Sequence, residues 1–191
     1  MKIVFATNNR NKLKEVQAIM PENIQLLSLK DINCTEDIPE TRDTIEGNAI
    51  QKVEYIKTNY GYDCFADDTG LEVEALNGAP GVYSARFAGP QRSAIDNTIK
   101  LLKELEKKDN RTAQFKTVIA LQLNGTCYTF TGICKGKITK SPKGEGGFGY
   151  DPVFKAIDYS QTFAEISLEE KNIIGHRGKA VKQLIDFLNK Y

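Results

Sequence analysis

The dipeptide Asn124-Gly125 lies between two strand-like runs, Gln114 to Leu123 and Tyr128 to Ile138, and Asn-Gly in that position specifies a two-residue hairpin. Antiparallel pairing is therefore built into the middle of the chain. The start imposes the other geometry. Lys2 to Ala6 is apolar and β-branched and reads as a short buried strand, running at once into a helix whose Leu13, Val16, Ile19 and Met20 recur at helical spacing until Pro21. A chain that leads with a βα unit and carries a hairpin at its centre is expected to fold as α/β around a mixed sheet.

Ile24 to Leu29 predicts a second strand, and Thr44 to Tyr60 a longer helix with Ile45, Ala49, Val53 and Ile56 on one face, ended by Gly61. Asp63 to Ala66 predicts a short strand that delivers Asp67-Asp68-Thr69-Gly70 to a turn, and Arg92 to Lys107 another helix. Gly132 and Gly136 interrupt the returning arm of the hairpin. Ser167 and Glu170 form a capping box for one short helix, and Ala180, Val181, Leu184, Ile185 and Leu188 make the apolar stripe of a last one. Neither an internal repeat nor a linker is visible, so residues 1–191 are expected to form a single domain.

Composition narrows the partners. With 26 basic against 25 acidic residues the net charge is +1, so no general field draws this chain to nucleic acid or to an acidic membrane. Any anion must be bound locally. No apolar run approaches the ~18–20 residues of a membrane span, and polar Thr7-Asn8-Asn9 cuts off any signal-peptide core, so a soluble, cytoplasmic protein is expected. Cys34, Cys64, Cys127 and Cys134 contain no Cys-x-x-Cys pair and read as reduced thiols in or near the core. A single histidine and no paired cysteines argue against a structural zinc site, so a metal would be a hard cation held by oxygen.

Four segments carry residues suited to chemistry. Thr7-Asn8-Asn9-Arg10-Asn11-Lys12 is a polar turn between a strand end and a helix start, where ligands favour open α/β sheets. It either binds phosphate oxygens through backbone N–H groups, Thr7, Asn9 and Lys12, or is simply a helix capped by Thr7 or Asn8. Glu36, Asp37, Glu40, Asp43 and the adjacent Asp67-Asp68 form an acidic set; paired carboxylates at a strand end suit Mg²⁺ carrying substrate phosphates, whereas most of the 36–43 run reads equally as a solvated loop. Gly144 to Gly149 spells G-x-G-x-x-G, yet Pro152 follows where a dinucleotide fingerprint needs a helix. That loop either offers Phe148 as a flat surface for a base with Asp151 as acceptor, or tucks Phe148 and Phe154 into the core. Lys171 and His176-Arg177 supply donors near the start of the last helix, or only a wet basic surface.

Taken in order, these segments resemble the inosine triphosphate pyrophosphatase family, which hydrolyses non-standard purine nucleoside triphosphates such as ITP, dITP and XTP. The resemblance is carried by Ala6 to Lys12, Ala66-Asp67-Asp68-Thr69-Gly70-Leu71, Gly78 to Arg86, Gly146 to Pro152 and His176-Arg177-Gly178. It implies an elongated mixed sheet with flanking helices, two lobes around a nucleotide-binding cleft, a homodimer and dependence on Mg²⁺. By the same resemblance Thr7, Asn8, Asn9, Arg10, Asn11 and Lys12 hold the triphosphate, with Lys52 and Thr69 adding phosphate contacts. Glu40 and Asp68 bind the metal, and Asp68 accepts the proton of the attacking water. Phe148 stacks on the base within Phe148-Gly149-Tyr150-Asp151, and Lys171, His176 and Arg177 contact the purine and its C6 oxygen. Asp67 is open between a second metal ligand and a support for Lys12 or Lys52. Two positions depart from the family pattern: Asn8 stands where Gly or His is common, and Gly175 stands where Ser commonly precedes His-Arg. The rival expectations are a Mg²⁺-dependent phosphohydrolase of other nucleotides, a non-catalytic nucleotide-binding module and, explaining least, a protein-interaction domain.

Overall fold

The computed structural model describes residues 1–191. Seven strands, β1 (Lys2–Phe5), β2 (Gln25–Leu27), β3 (Cys64–Val73), β4 (Pro80–Gly81), β5 (Thr112–Leu123), β6 (Thr126–Ile138) and β7 (Phe154–Ala156), make one mixed sheet. Its order is β2-β1-β3-β5-β6-β7, with β4 paired to β3. The leading βα unit gives parallel pairs, β1 with β2 and with β3, while β3–β4 and β6–β7 are antiparallel. Five helices flank the sheet: α1 (Arg10–Gln17), α2 (Ile45–Tyr60), α3 (Ala94–Glu104), α4 (Leu168–Ile174) and α5 (His176–Leu188). None is long and apolar enough to cross a membrane.

The hairpin forms where Asn124-Gly125 requires it, with φ of 48° and 83° at the two turn residues. Helix signals also hold: Thr44 accepts from the Gly47 N–H to start α2, left-handed Gly61 ends it, and Ser167 accepts from the Glu170 N–H to start α4. Two readings of the strands are corrected. No turn follows Ala66; β3 runs unbroken through Asp67, Asp68, Thr69 and Gly70 to Val73 and is buried along almost its whole length. Polar residues there mimic a loop because buried cations, which local pattern cannot reveal, satisfy their carboxylates. Likewise β6 passes through Gly132 and Gly136 without interruption, pairing Gly136 with Ala156.

The chain divides into two compact units, each assembled from separate stretches: unit 1 is Met1–Asp68, Thr117–Gly132 and Arg177–Tyr191, and unit 2 is Thr69–Lys116 and Ile133–His176. In unit 1, Phe5 of β1 and Phe65 of β3 stack at 4.5 Å, and the Val16 side of α1 and the Ala180, Val181, Leu184 and Leu188 stripe of α5 complete the core. In unit 2, Phe115, Phe154 and Phe163 form an aromatic centre with Leu71, Val73, Leu101 and Leu105. All four cysteines are free, and Cys127 is exposed rather than near the core. The stacked pair should dominate unit 1: Phe65→Ala is expected to cost about 3–5 kcal/mol by urea unfolding, and a loss below 1 kcal/mol would show that this stack is dispensable.

Candidate active site

β1 ends at Phe5, opposite Phe65, so β3 loses that neighbour just before its two aspartates. The Asp67 carbonyl is thereby open to cations, and it accepts from Lys52 Nζ at 2.7 Å and from Lys12 Nζ at 3.3 Å. Successive side chains on a strand point to opposite faces, which sends the Asp67 and Asp68 carboxylates into different surroundings. Asp67 is fully buried, with Oδ1 3.0 Å from Lys12 Nζ and Oδ2 accepting from Arg177 Nε at 3.0 Å. Arg177 reaches with Nη1 to buried Glu15, so one guanidinium bridges two carboxylates. Burial alone would raise the Asp67 pKa, but Lys12, Arg177 and Lys52 together outweigh it and hold the carboxyl well below its usual range. For Lys12 the balance is reversed, and burial lowers its pKa despite the pull of Asp67.

Asp68 meets a thinner positive environment. Lys52 Nζ lies 3.6 Å from Oδ1, and Asn48 donates to Oδ2 at 3.4 Å. Burial pushes the Asp68 carboxyl above the ordinary value, and Lys52 and Lys12 offset this only in part. Lys52 keeps its proton: burial works against the charge, yet Asp68, Glu40 and Asp67 more than compensate. Its ammonium also binds Glu40 Oε1 at 2.7 Å, so two carboxylates from separate stretches converge on one cation. That donor set fits Mg²⁺, which takes one or two carboxylates and fills its remaining positions with water and phosphate. No group of three His, Cys, Asp or Glu side chains stands ready to cage a metal.

The polar turn before α1 supplies the cap of its own helix. Asn9, not Thr7 or Asn8, caps the helix: its Oδ1 accepts from the N–H groups of Asn11 and Lys12 at 3.0 and 3.2 Å, and Thr7 Oγ1 accepts from Asn9 N–H at 3.1 Å. Asn8, Arg10 and Asn11 are exposed and Lys12 is half-buried.

Unit 2 holds the other expected residues. No α-helix follows the glycine-rich loop; a single 3-10 turn, Asp151–Val153, leads into β7. Buried Asp151 accepts from Phe148 N–H at 2.7 Å and from Lys171 Nζ at 2.5 Å, through the same Oδ2. The loop must bend sharply for this: Gly147 has φ +69°, and a Cβ there would run into the Asp151 carboxylate. Phe154 is fully buried, whereas Phe148 is only half-buried, with the Lys171 ammonium 4.8 Å from its ring centre. Tyr150 is a core residue whose hydroxyl donates to the Ser84 carbonyl. His176 is buried with its ring 4.6 Å from that of Phe115, and Thr69 is half-buried on β3. Lys171 and His176 thus lie in unit 2, whereas the Arg177 side chain is engaged with Asp67 and Glu15 in unit 1. At Gly175 a Cβ would strike the Lys171 carbonyl.

Several participants escaped sequence reasoning. Glu15 lay on a helix face with no visible partner, and Asn48 looked like an ordinary helical polar residue, although its i, i+4 spacing from Lys52 puts both on one face. A cavity in unit 2, about 650 Å³ and lined in part by Glu72, Gln114, Lys135, Lys137 and Lys155, contains none of the expected site residues. Of the acidic run, Glu36 is anchored rather than merely solvated, accepting from Tyr60 Oη at 2.5 Å and Tyr55 Oη at 2.9 Å.

Known proteins resemble this chain along nearly its whole length. The "dITP/XTP pyrophosphatase" of Flavobacterium johnsoniae is 66% identical over 188 residues, covering 98% of each chain. Among solved structures, a HAM1 protein from Coxiella burnetii superposes with a TM-score of 0.92 at 37% identity over 100% of both chains, and the Ham1 protein of Staphylococcus aureus with 0.90 at 39%, covering 100% of this chain and 99% of its own. The profile described as the Ham1 family matches residues 3–187, and the chain belongs to that family.

The Glu36 contacts predict a pH signature. Its carboxyl is lowered from 4.5 to about 2, chiefly by the Tyr60 hydroxyl. Because the folded-state value is depressed, its contribution to stability is complete above the unfolded value and is lost as pH falls towards 2. Tyr60→Phe is expected to raise the Glu36 midpoint towards 4.5 in a carboxyl NMR titration; an unchanged midpoint would remove the Tyr60 hydroxyl as the cause.

Proposed function

We propose that this chain is a Mg²⁺-dependent pyrophosphatase of non-standard purine nucleoside triphosphates, converting dITP, XTP and ITP to the monophosphate and pyrophosphate. The observation that carries the reading is the convergence of Glu40 and Asp68 on the Lys52 ammonium, with Lys12 held beside them by Asp67. The name borne by the Flavobacterium johnsoniae relative supports the substrate class.

Glu40 and Asp68 would hold the metal, which when bound supplies positive charge against the phosphate oxygens. Asp68 accepts the proton of the attacking water, a role suited by a carboxyl that burial makes more basic than usual. Lys12 and Lys52 stabilise charge developing on the phosphates, together with side chains of Thr7, Asn8, Asn9, Arg10 and Asn11 and with Thr69. Arg177 acts through Asp67: by keeping that carboxylate ionised and oriented, it keeps Lys12 in place. The base is taken by Phe148, whose half-buried ring offers a stacking face, and by Gly149, Asp151, Lys171 and His176, while Tyr150 anchors their loop. The homodimer implied by the family resemblance and the cytoplasmic location expected from the sequence belong to the same proposal.

Selection follows from donor and acceptor chemistry. Hypoxanthine and xanthine present an oxygen at C6, which the Lys171 ammonium can serve, whereas adenine presents an amino donor. A buried donor left facing a donor costs roughly 1–3 kcal/mol, about a 5- to 150-fold loss.

The test is product analysis with XTP, dITP, ITP and ATP, each with Mg²⁺ or with chelator. Mg²⁺-dependent pyrophosphate release is expected from the first three and little from ATP; inorganic phosphate as the direct product would reject the reading in favour of another phosphohydrolase, and binding without turnover would favour a regulatory module. Asp68→Asn is expected to lower kcat at least ~100-fold with nucleotide binding retained. Full activity in that variant would remove Asp68 from the proton transfer.

A further inference from the structure

Three consecutive residues of the irregular stretch before α2 are tied to one face of that helix. Glu40 pairs with Lys52; Thr41 donates its N–H to Gln51 Oε1 and accepts from Gln51 Nε2, both at 2.9 Å; and Arg42 donates its N–H to Asn48 Oδ1 at 2.9 Å. Positions 48, 51 and 52 follow the i, i+3, i+4 spacing that puts side chains on a common stripe. Only two of these helix residues also reach β3: Lys52, and Asn48 through its donor contact to Asp68 Oδ2.

Asn48 is 2% exposed, and both ends of its amide are committed. The backbone N–H of Arg42 can only donate, so the amide oxygen must face the loop and the amide nitrogen must face Asp68. One planar group thereby sets the loop that carries Glu40 at a fixed distance from the Asp68 carboxylate and turns Oδ1 of Asp68 towards Lys52. We propose that Asn48 is the positioning residue of this site: its amide couples the Glu40 loop to Asp68 and holds the two carboxylates in the mutual geometry that a divalent cation requires. The inference rests on the proposed metal-dependent reading of Glu40 and Asp68 and adds to it a residue outside that set. Groups that orient metal-binding carboxylates act without touching the metal, and their loss typically costs ~10–100-fold in affinity or rate.

The experiment compares wild type, Asn48→Ala, Asn48→Ser and Gln51→Ala. Mn²⁺ affinity is measured by EPR without nucleotide, exchange of the Arg42 amide by hydrogen–deuterium exchange, and kcat and KM for XTP at saturating Mg²⁺. Either Asn48 variant is expected to weaken Mn²⁺ binding and lower kcat at least ~10-fold, to leave KM within ~threefold, and to speed exchange at Arg42. Gln51→Ala, which loosens the loop without touching Asp68, should speed exchange and weaken Mn²⁺ binding while keeping kcat near wild type at saturating metal. If Asn48→Ala fails to fold, Asn48→Ser and Gln51→Ala still separate loop anchoring from control of Asp68. A folded Asn48 variant with Mn²⁺ affinity and kcat within ~twofold of wild type overturns the proposal, as does a loss of activity that only tracks the loss of folded protein. Wild type that binds Mn²⁺ but releases no pyrophosphate would instead overturn the functional reading, and the Mn²⁺ and exchange data would still judge Asn48.

Discussion

Two carboxylates side by side on a buried strand are the constraint that the rest of unit 1 satisfies. A buried carboxylate must be paired, because removing it from water without a partner is prohibitively unfavourable. At Asp67 this is met by Lys12 from α1 and Arg177 from the start of α5, with Glu15 balancing the surplus positive charge. A single strand residue thus fixes where two helices begin relative to the sheet. Because β1 stops at Phe5, the Asp67 carbonyl beyond it also recruits Lys52 from α2. The ion-pair network is therefore part of the architecture as well as of the site.

Asp68 is treated differently by the same strand. The alternation of side chains turns it away from the Arg177 bridge, and its surroundings are one amide donor and a lysine shared with Glu40. Burial then works against its negative charge instead of being overcome. Adjacent, chemically identical groups acquire opposite tendencies, one locked as an anion and one whose ionised form burial disfavours. Pairs of titratable groups pushed apart in this way mark sites of chemistry.

Much of this was legible in the sequence, and the missing parts have a common cause. Local rules sufficed for the Asn124-Gly125 hairpin, the Ser167 cap, Gly61 and the α5 stripe, because each depends on neighbours in sequence. The Asp67-Asp68 stretch was expected to be a turn and is the centre of a strand, because the cations that make it tolerable come from residues 12, 52 and 177. Asn9 caps α1, where Thr7 or Asn8 was expected; three consecutive polar residues make the position of the cap a matter of one residue's backbone angle. The resemblance implies that Arg177 contacts the purine with His176; that its side chain engages two carboxylates in unit 1 follows from partners far away in sequence, which no local pattern shows. Glu15 has no local signal and Asn48 only its i, i+4 spacing from Lys52, since their significance lies in partners 162 and 20 residues away.

The division of labour between the two aspartates is tested most directly by urea unfolding of Asp67→Asn and Asp68→Asn at neutral pH, with chelator and without nucleotide. Removing the Asp67 charge leaves Lys12 and Arg177 buried without their shared anion and is expected to cost about 3–5 kcal/mol. Removing the Asp68 charge relieves a group whose ionised form burial disfavours, so that variant should be as stable as wild type or more so. Equal and large destabilisation by both substitutions would contradict the account, because it would make Asp68 a second structural anion.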